Sequence, residues 1–167
     1  MKQNNLLILG AGQYGQVVRE TAEASGRFGR IAFLDDNNEY ALGKMNDFEM
    51  YRSEFDYAFV ALGNPQLRIQ WLEKLETAGF ELAVLVHPKA HVSPSALLGK
   101  GSIAEPMAVI NTEANVGRGG LLCAGCVVNH NAHVGSGCQI DCGAVVASNA
   151  IVPEGTKVQS GTVFIKK

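Results

Sequence analysis

The sequence has no long apolar run and no excess of basic residues. No uninterrupted apolar stretch approaches the roughly 20 residues that a membrane-spanning helix needs, and the N-terminal segment MKQNNLLILG lacks the apolar core and cleavage site of a secretory signal. The net charge of −2 leaves no basic stripe that could neutralise nucleic-acid phosphates. Charged residues make up only 18% of the chain, which favours burial of part of the surface in an oligomer. We therefore expect a cytoplasmic protein that neither spans a membrane nor binds nucleic acid.

A six-residue repeat fills residues 92–167. The first position of every unit is apolar: Val92, Leu98, Ala104, Ile110, Val116, Leu122, Val128, Val134, Ile140, Val146, Val152, Val158 and Phe164. The fifth position is small: Ala96, Ser102, Ala108, Ala114, Gly120, Cys126, Ala132, Cys138, Ala144, Ala150, Thr156 and Thr162. A period of six fits neither a helix nor a simple strand, and short repeats of this kind are typical of a parallel β-helix built as a triangular prism. Three units then complete a coil of about 18 residues, so the segment should hold roughly four coils.

Residues 1–86 predict a small α/β domain. Apolar strands are expected at residues 5–10, 31–34, 57–62 and 82–86, helices at 16–25 and 66–78, and a loop with short strands at 37–56. Two successive βαβ units of this kind predict a parallel sheet with helices on its faces, equivalent to half of a Rossmann fold.

The first strand runs directly into a GxGxxG motif that opens a helix. Bare glycine backbone and a helix N-terminus together can bind phosphate. The candidate binding residues belong to this motif or follow the second and third strands: Gly10, Gly12, Gln13, Tyr14, Gly15, Asp35, Asp36, Gly63 and Asn64. Because residues 1–86 supply only half of a dinucleotide fold, a mononucleotide-sized ligand is favoured over NAD. A Gly-rich turn that serves only close strand–helix packing is the alternative.

Five elements in order, GAGQYG, FLDD, ALGNPQLR, LVHPKAHVSPSA and then the hexapeptides, resemble the NeuD-like family of sugar acyltransferases. That family includes sialic acid O-acetyltransferases and N-acetyltransferases of UDP-4-amino sugars. The resemblance implies a nucleotide-sugar-binding domain at residues 1–86 and a left-handed β-helix at 87–167 that supplies catalysis. It also implies homotrimers, with acetyl-CoA as the co-substrate in grooves between neighbouring prisms and with no metal.

The resemblance identifies His130 as the catalytic base, since it follows a short apolar pair late in the repeat. As the third residue of its unit it lies at a corner of the prism and should point outward. Acyl transfer needs a base for the proton of the attacking group, and an imidazole with an unperturbed pKa of about 6.5 suits that role. The amide of Ser148, one coil further on, is the candidate oxyanion donor. His133 and Cys123 are further candidates for contacts with the donor, and a surface histidine without a role is the alternative.

Three departures from the family's pattern bear on activity. The family commonly has an acid after the catalytic histidine, but here Asn131 can orient the ring without carrying a charge. Glu113, which is 18 residues earlier, should stack beside Asn131 and could replace that acid. The family often has Asn at the position of Cys123, and typical relatives extend one to two coils further. Weaker CoA binding or lost activity is therefore an open alternative.

The four cysteines, Cys123, Cys126, Cys138 and Cys142, form CxxC and CxxxC pairs that invite a zinc interpretation. The repeat argues against it, because Cys126 and Cys138 occupy small core positions on different faces and four thiolates would not converge. Reduced structural thiols are the expectation.

Three functions remain open at this point. The favoured one is an acyl-CoA-dependent transferase acting on a nucleotide-linked or amino sugar. The second is a catalytically degenerate nucleotide-sugar-binding protein of a surface-polysaccharide pathway. The third is an NAD-dependent enzyme built on the glycine motif, which the half-size N-terminal domain disfavours.

Overall fold

The computed structural model describes residues 4–166 and divides the chain into two units, Met1–Ala83 and Val84–Lys167. The sequence predicts this boundary three residues later, after residue 86. The difference arises because the repeat begins one hexapeptide earlier than residue 92. Val86 takes the apolar first position and Ala90 the small fifth position of that additional hexapeptide. Both residues pack against the hydrophobic core of the second structural unit, Val84–Lys167.

The first unit is an α/β domain with a four-stranded parallel sheet in the order β2-β1-β3-β4. Its elements are β1 (Asn5–Leu9), α1 (Gln13–Ser25), β2 (Arg30–Leu34), a 3-10 helix (Met45–Tyr51), β3 (Tyr57–Val60), α2 (Pro65–Thr77) and β4 (Glu81–Leu82). The order reverses between β1 and β3, so the loops that follow these two strands lie side by side at the sheet's carboxyl edge. The predicted half-Rossmann architecture is confirmed.

Short sequence signals set the ends of these elements. The central strand β1 is fully buried from Leu6 to Leu9, as expected for a parallel strand covered on both faces. Helix α1 starts three residues before the predicted residue 16, with Gly12 as its N-cap, and ends at Gly26 in the left-handed conformation (φ 64°). Helix α2 starts at Pro65, where the Asn64 side chain accepts the N–H of Leu67 at 2.9 Å.

The prediction of short strands between residues 37 and 56 is wrong, because the segment contains the 3-10 helix Met45–Tyr51. Two side chains satisfy the donors at its start: Asp36 Oδ1 accepts the Met45 N–H at 3.0 Å, and Asp47 Oδ2 accepts the Lys44 N–H at 2.9 Å. Met45 and Phe48 are buried, and a three-residue spacing places two side chains on the same face of a 3-10 helix.

The second unit is a left-handed parallel β-helix, as predicted. Its two-residue strands are β5 (Leu85–Val86), β6 (His91–Val92), β7 (Leu97–Leu98), β8 (Ile103–Ala104), β9 (Val109–Ile110), β10 (Asn115–Val116), β11 (Leu121–Leu122), β12 (Val127–Val128), β13 (His133–Val134), β14 (Gln139–Ile140), β15 (Val145–Val146), β16 (Ile151–Val152), β17 (Lys157–Val158) and β18 (Val163–Phe164). They form three parallel sheets in the orders β17-β14-β11-β8-β5, β18-β15-β12-β9-β6 and β16-β13-β10-β7. Partners are 18 residues apart, as in Val127 opposite Val145, so each coil holds three units.

The repeat rule accounts for both the core and the corners of the prism. The buried core consists of first-position and fifth-position residues, among them Ile110, Val128 and Val146 with Ala114 and Ala132. The fourth position of successive units has a φ between 56° and 72°: Gly101, Met107, Glu113, Gly119, Gly125, Asn131, Gly137, Gly143, Asn149, Gly155 and Gly161. This left-handed residue turns the chain from one face to the next, and it favours Gly and Asn.

Candidate active site

One corner of the prism gathers most of the predicted catalytic residues. This corner, here called the histidine corner, consists of residues 111–114, 129–132 and 147–150, which follow β9, β12 and β15. The Asn131 N–H donates to Thr112 O at 3.0 Å, and the Asn149 N–H donates to His130 O at 3.2 Å, so the three turns stack directly. The repeat therefore brings Glu113, His130, Asn131 and Ser148 to one edge.

His130 is exposed, and a side chain from the preceding residue fixes its backbone. The His130 N–H donates to Asn129 Oδ1 at 2.8 Å. The same oxygen accepts the Asn111 Nδ2 amide at 3.3 Å from the coil before. Asn111 and Asn129 thus form a two-rung ladder that ends on the backbone of His130. Neither asparagine was predicted from the sequence, although their polar character at the second position of the repeat was visible.

Asn131 lies beside the imidazole, with its Nδ2 at 3.5 Å from His130 Nδ1. Its backbone is left-handed (φ 56°), which a short polar side chain tolerates. A carboxamide can donate through its nitrogen or, turned by half a rotation, accept through its oxygen. Only the accepting orientation keeps the proton on Nδ1 and leaves the lone pair on Nε2 for catalysis. A carboxylate, in contrast, can only accept.

Glu113 lies one coil before Asn131, but the two side chains are not joined. The Glu113 N–H donates to Ser95 Oγ at 3.1 Å. Its exposed carboxylate makes no hydrogen bond or ion pair to His130 or Asn131 within residues 4–166. Although Glu113 lies one coil before Asn131, it forms no contact among the described residues that would replace the missing acid.

The Ser148 amide is available at the histidine corner, and the residue before it offers no side-chain acceptor. Asn129 and Asp141 each accept the N–H of the residue that follows them, at 2.8 and 3.0 Å. At the position that corresponds to Asn129, one coil further on, Ala147 has no side-chain acceptor. The Ser148 N–H makes no hydrogen bond within the part of the chain that the structure describes. A free N–H of this kind can stabilise a developing oxyanion.

Two other candidates lie elsewhere on the prism. Cys123 follows β11 at another corner and is buried, with Gln139 Nε2 at 3.8 Å from its Sγ, and burial raises the pKa of its thiol. His133 begins β13 on the outer face of the four-stranded sheet and is exposed. It lines a shallow cavity of about 340 Å³ with Asn115 and Ile151 among others. Within one chain the structure does not bring Cys123 to the histidine corner.

In the first unit, the glycine motif leaves open space where a ligand could approach. Gly10 has a φ of 102°, and a Cβ there would lie 2.9 Å from Ala61 O in the loop after β3. A Cβ at Gly15 would overlap the carbonyl oxygen of Gly10, so this buried glycine permits close packing of α1 on β1. Gly12 has nothing within 4 Å of its Cβ position and caps α1, whose exposed first residue is Gln13. Tyr14, the next residue, is half-buried. The three glycines therefore serve a tight turn, open approach to the backbone and close helix packing, which are the roles that glycines have in phosphate-binding loops.

Asp35 ties the glycine motif to the loop that follows β2. Its Oδ2 accepts the Ala11 N–H at 2.7 Å, and its Oδ1 accepts the Asn37 N–H at 2.8 Å. Each carboxylate oxygen keeps a second lone pair for a ligand hydroxyl. Asp36, in contrast, is engaged at the start of the 3-10 helix.

A buried arginine side chain holds the loop after β3 through hydrogen bonds to its backbone carbonyls. Arg68 is fully buried, and its Nη1 donates to Leu62 O at 2.6 Å and to Gly63 O at 3.1 Å. Gly63 has open space at its Cβ position, and the Asn64 oxygen is engaged in capping α2. Arg68 was not predicted from the sequence. The available signal was its helical spacing with the apolar Leu72 and Leu75, which places a charge on the buried face.

Among residues 4–166, no group of three or more His, Cys, Asp or Glu could hold a metal ion. Cys123, Cys126 and Cys138 are buried, Cys142 is exposed, and all four are free thiols. No helix in the described part of the chain is long and apolar enough to cross a membrane.

Comparisons with known proteins match both units. The PglD N-terminal domain family matches residues 5–75. A UDP-N-acetylbacillosamine N-acetyltransferase of Bacillus subtilis is 33% identical over 108 residues, which are 59% of this chain and 50% of that protein. The chain thus spans about half the length of this curated relative.

Solved structures match nearly the whole chain. The acetyltransferase domain of PglB from Neisseria gonorrhoeae is 30% identical, with 98% of this chain and 92% of that chain covered and a TM-score of 0.84. The same domain in complex with acetyl coenzyme A gives a TM-score of 0.82. A histidine-to-asparagine mutant of perosamine N-acetyltransferase from Caulobacter crescentus, in complex with CoA and GDP-perosamine, is 26% identical. Here 98% of this chain and 90% of that chain are covered, with a TM-score of 0.69.

Proposed function

Because the chain belongs to the NeuD-like family of hexapeptide-repeat sugar acyltransferases, we propose that it transfers an acetyl group from acetyl-CoA to an amino group of a nucleotide-linked sugar. The observation that carries this proposal is the histidine corner, where the exposed His130 stacks one coil before the free N–H of Ser148. Two similar proteins described as N-acetyltransferases support an amine as the acceptor. The complexes of similar proteins with acetyl coenzyme A or CoA support the donor.

His130 acts as the general base of a direct transfer. The sugar nitrogen attacks the thioester carbonyl carbon, and His130 takes a proton from that nitrogen as the new C–N bond forms. The carbonyl oxygen becomes an oxyanion, which accepts a hydrogen bond from the Ser148 N–H. The intermediate collapses with cleavage of the C–S bond, and the leaving thiolate can recover the proton from the imidazolium. No covalent enzyme intermediate is needed.

The first unit binds the nucleotide. The phosphates of the nucleotide lie against the open backbone at Gly12 and the N-terminus of α1, with Gln13 and Tyr14 at the start of that helix. The loop with Gly63 and Asn64 borders the same edge of the sheet. Asp35 accepts a ribose hydroxyl while it holds the glycine motif, and Asp36 supports the loop from the 3-10 helix.

The active form is a homotrimer, in which a neighbouring prism completes the donor site near His133 and Cys123. Apolar side chains on the outside of the described β-helix support this, including Leu97, Met107, Ile151 and Val163 at 55–65% exposure. Sedimentation velocity that gave only monomer at micromolar concentration would remove this part of the proposal.

The direct test is an acetylation assay with acetyl-CoA and two acceptors, a UDP-4-amino sugar and GDP-perosamine. We expect release of free CoA and an acceptor product that is heavier by one acetyl group. A second function, a nucleotide-sugar-binding protein without turnover, is favoured by one observation, the uncharged Asn131 beside His130. Binding of the nucleotide sugar without CoA release from either acceptor would support that second function.

A further inference from the structure

Tyr40 is the most exposed of the large hydrophobic side chains in the described residues, at 86%. It lies in the loop that follows β2, in the first unit. Its ring is therefore accessible to a ligand that approaches this loop.

The backbone of this loop is fixed, and one side chain connects it to the glycine motif. Asn38 Nδ2 donates to Ala11 O at 3.1 Å, and Asn38 Oδ1 accepts the Tyr40 N–H at 2.9 Å. The Leu42 N–H then donates to Phe33 O at 2.9 Å, which returns the loop to β2. The position of Tyr40 is therefore linked through Asn38 to the same glycine motif that has open space at Gly12.

The loop is also concave. Residues 37–40 line a shallow cavity of about 330 Å³, which is open to solvent. In a half-Rossmann sheet the phosphates lie at the loop after β1, and the ribose reaches toward the acid at the end of the neighbouring β2. The base of such a nucleotide must then extend beyond β2, toward the loop that carries Tyr40.

We propose that Tyr40 is the stacking surface for the base of the bound nucleotide, and that Asn38 positions it relative to the phosphate-binding glycine motif. This inference rests on the proposed function, since it assigns a part of the nucleotide site. Stacking on a phenol ring holds either a pyrimidine or a purine, so uridine and guanosine diphosphates are both suitable probes.

Calorimetric titration of the full chain with UDP, GDP and inorganic pyrophosphate tests the proposal. Tyr40→Ala should lower the affinity for UDP and for GDP by roughly 5- to 150-fold, the range for loss of one base-stacking contact. Tyr40→Phe keeps the ring and should bind within about twofold of the parent, because stacking uses the face of the ring and does not need the hydroxyl. Pyrophosphate has no base, so its affinity should be the same in all three proteins.

Asn38 requires a readout beyond simple loss of affinity, because it acts through Tyr40. Asn38→Ala should lower the affinity of the parent protein for UDP. It should have little further effect in a Tyr40→Ala background, since the ring that Asn38 positions is already absent there. Additive losses would show that Asn38 acts independently of Tyr40. Met50→Ala is the matched control, because Met50 is also exposed in the first unit, at 74%.

The outcomes separate this inference from the proposed function. If the parent binds UDP or GDP and Tyr40→Ala binds them equally well, the stacking surface is wrong while the nucleotide site stands. If Tyr40→Ala loses pyrophosphate as strongly as UDP, the substitution damages the phosphate loop and the assignment to the base is also wrong. If the parent binds neither diphosphate nor any nucleotide sugar at millimolar concentration, the proposed function fails together with the inference.

Discussion

The Asn129 side-chain oxygen accepts the backbone N–H of His130 at 2.8 Å and the side-chain amide of Asn111 at 3.3 Å. One side chain thus restrains the turn from which the proposed base projects. Ser148 occupies the equivalent position one coil later, and its N–H has no such acceptor beside it. At this corner the His130 N–H is therefore restrained, whereas the Ser148 N–H is free for a substrate oxygen.

Replacement of Asn129 by Ala should lower kcat by about fivefold, because it removes a hydrogen bond worth about 1 kcal/mol in positioning His130. The KM for acetyl-CoA should not change. Asn129→Asp keeps the accepting oxygen and should restore most of the rate. Steady-state kinetics with the separated constants would check this. A fall in thermal stability with unchanged kcat would mean that Asn129 serves the fold only.

Introduction of an acceptor next to Ser148 tests whether its N–H stabilises the oxyanion. Ala147→Asn reproduces the arrangement of Asn129 and His130, so the new side chain should occupy the Ser148 N–H and lower kcat by about 10²- to 10³-fold. Asparagine already occupies the equivalent turn positions 111 and 129, so the backbone accommodates it.

Ala147→Leu is the matched control for this substitution, since leucine has nearly the shape of asparagine but no acceptor atom. It should keep most of the activity. Equal losses in the two variants would attribute the effect to bulk at the corner and would leave the oxyanion without an assigned donor.

Much of the β-helix could be predicted because its rule is local. Each six-residue unit states which side chain faces the axis and which fits the corner, and the 18-residue coil follows by repetition. The first hexapeptide of the repeat was missed because its first residue, Val86, also ends the strand predicted at residues 82–86 as the last of the α/β domain.

Other features depend on contacts that the sequence does not state. The 3-10 helix Met45–Tyr51 forms where Asp36 and Asp47 satisfy its first donors, and polar loop composition gives no sign of this. The link from Asn38 to Ala11 joins residues 27 positions apart. The same limit applies to Glu113, for which the repeat predicts stacking but not whether its carboxylate reaches a neighbour.

The cysteines should differ sharply in reactivity. Burial raises the pKa of Cys126 to about 12, with the nearby Glu105 carboxylate adding to the shift, and it also raises the pKa of Cys123. Their thiols therefore stay protonated at pH 8, and Cys138 is buried as well. An aromatic disulfide reagent should label one thiol rapidly in the native protein, and Cys142→Ser should remove that fast phase. Rapid labelling of several thiols only after a chelator is added would instead support the zinc interpretation.

Asn131→Asp should place beside the ring a carboxylate, which can only accept a hydrogen bond and therefore keeps the proton on His130 Nδ1. Aspartate tolerates the left-handed backbone of this position, so the fold should be retained. We expect a higher kcat at alkaline pH and a shift of the pH midpoint to a higher value, because the carboxylate also stabilises the imidazolium. Glu113→Gln should change the rate little, since its carboxylate contacts neither residue among those described. A tenfold loss in Glu113→Gln would instead assign it the role of the missing acid.

His130→Ala tests the base itself. Loss of a positioned base should lower kcat by about 10²- to 10⁴-fold, while the affinity for acetyl-CoA stays the same because the donor does not depend on the ring for binding. As the base, His130 makes the parent's kcat depend on pH, and His130→Ala should lose that dependence. The pH profile distinguishes a base from a residue that merely shapes the corner: a structural role would lower the rate equally at every pH and leave the midpoint in place.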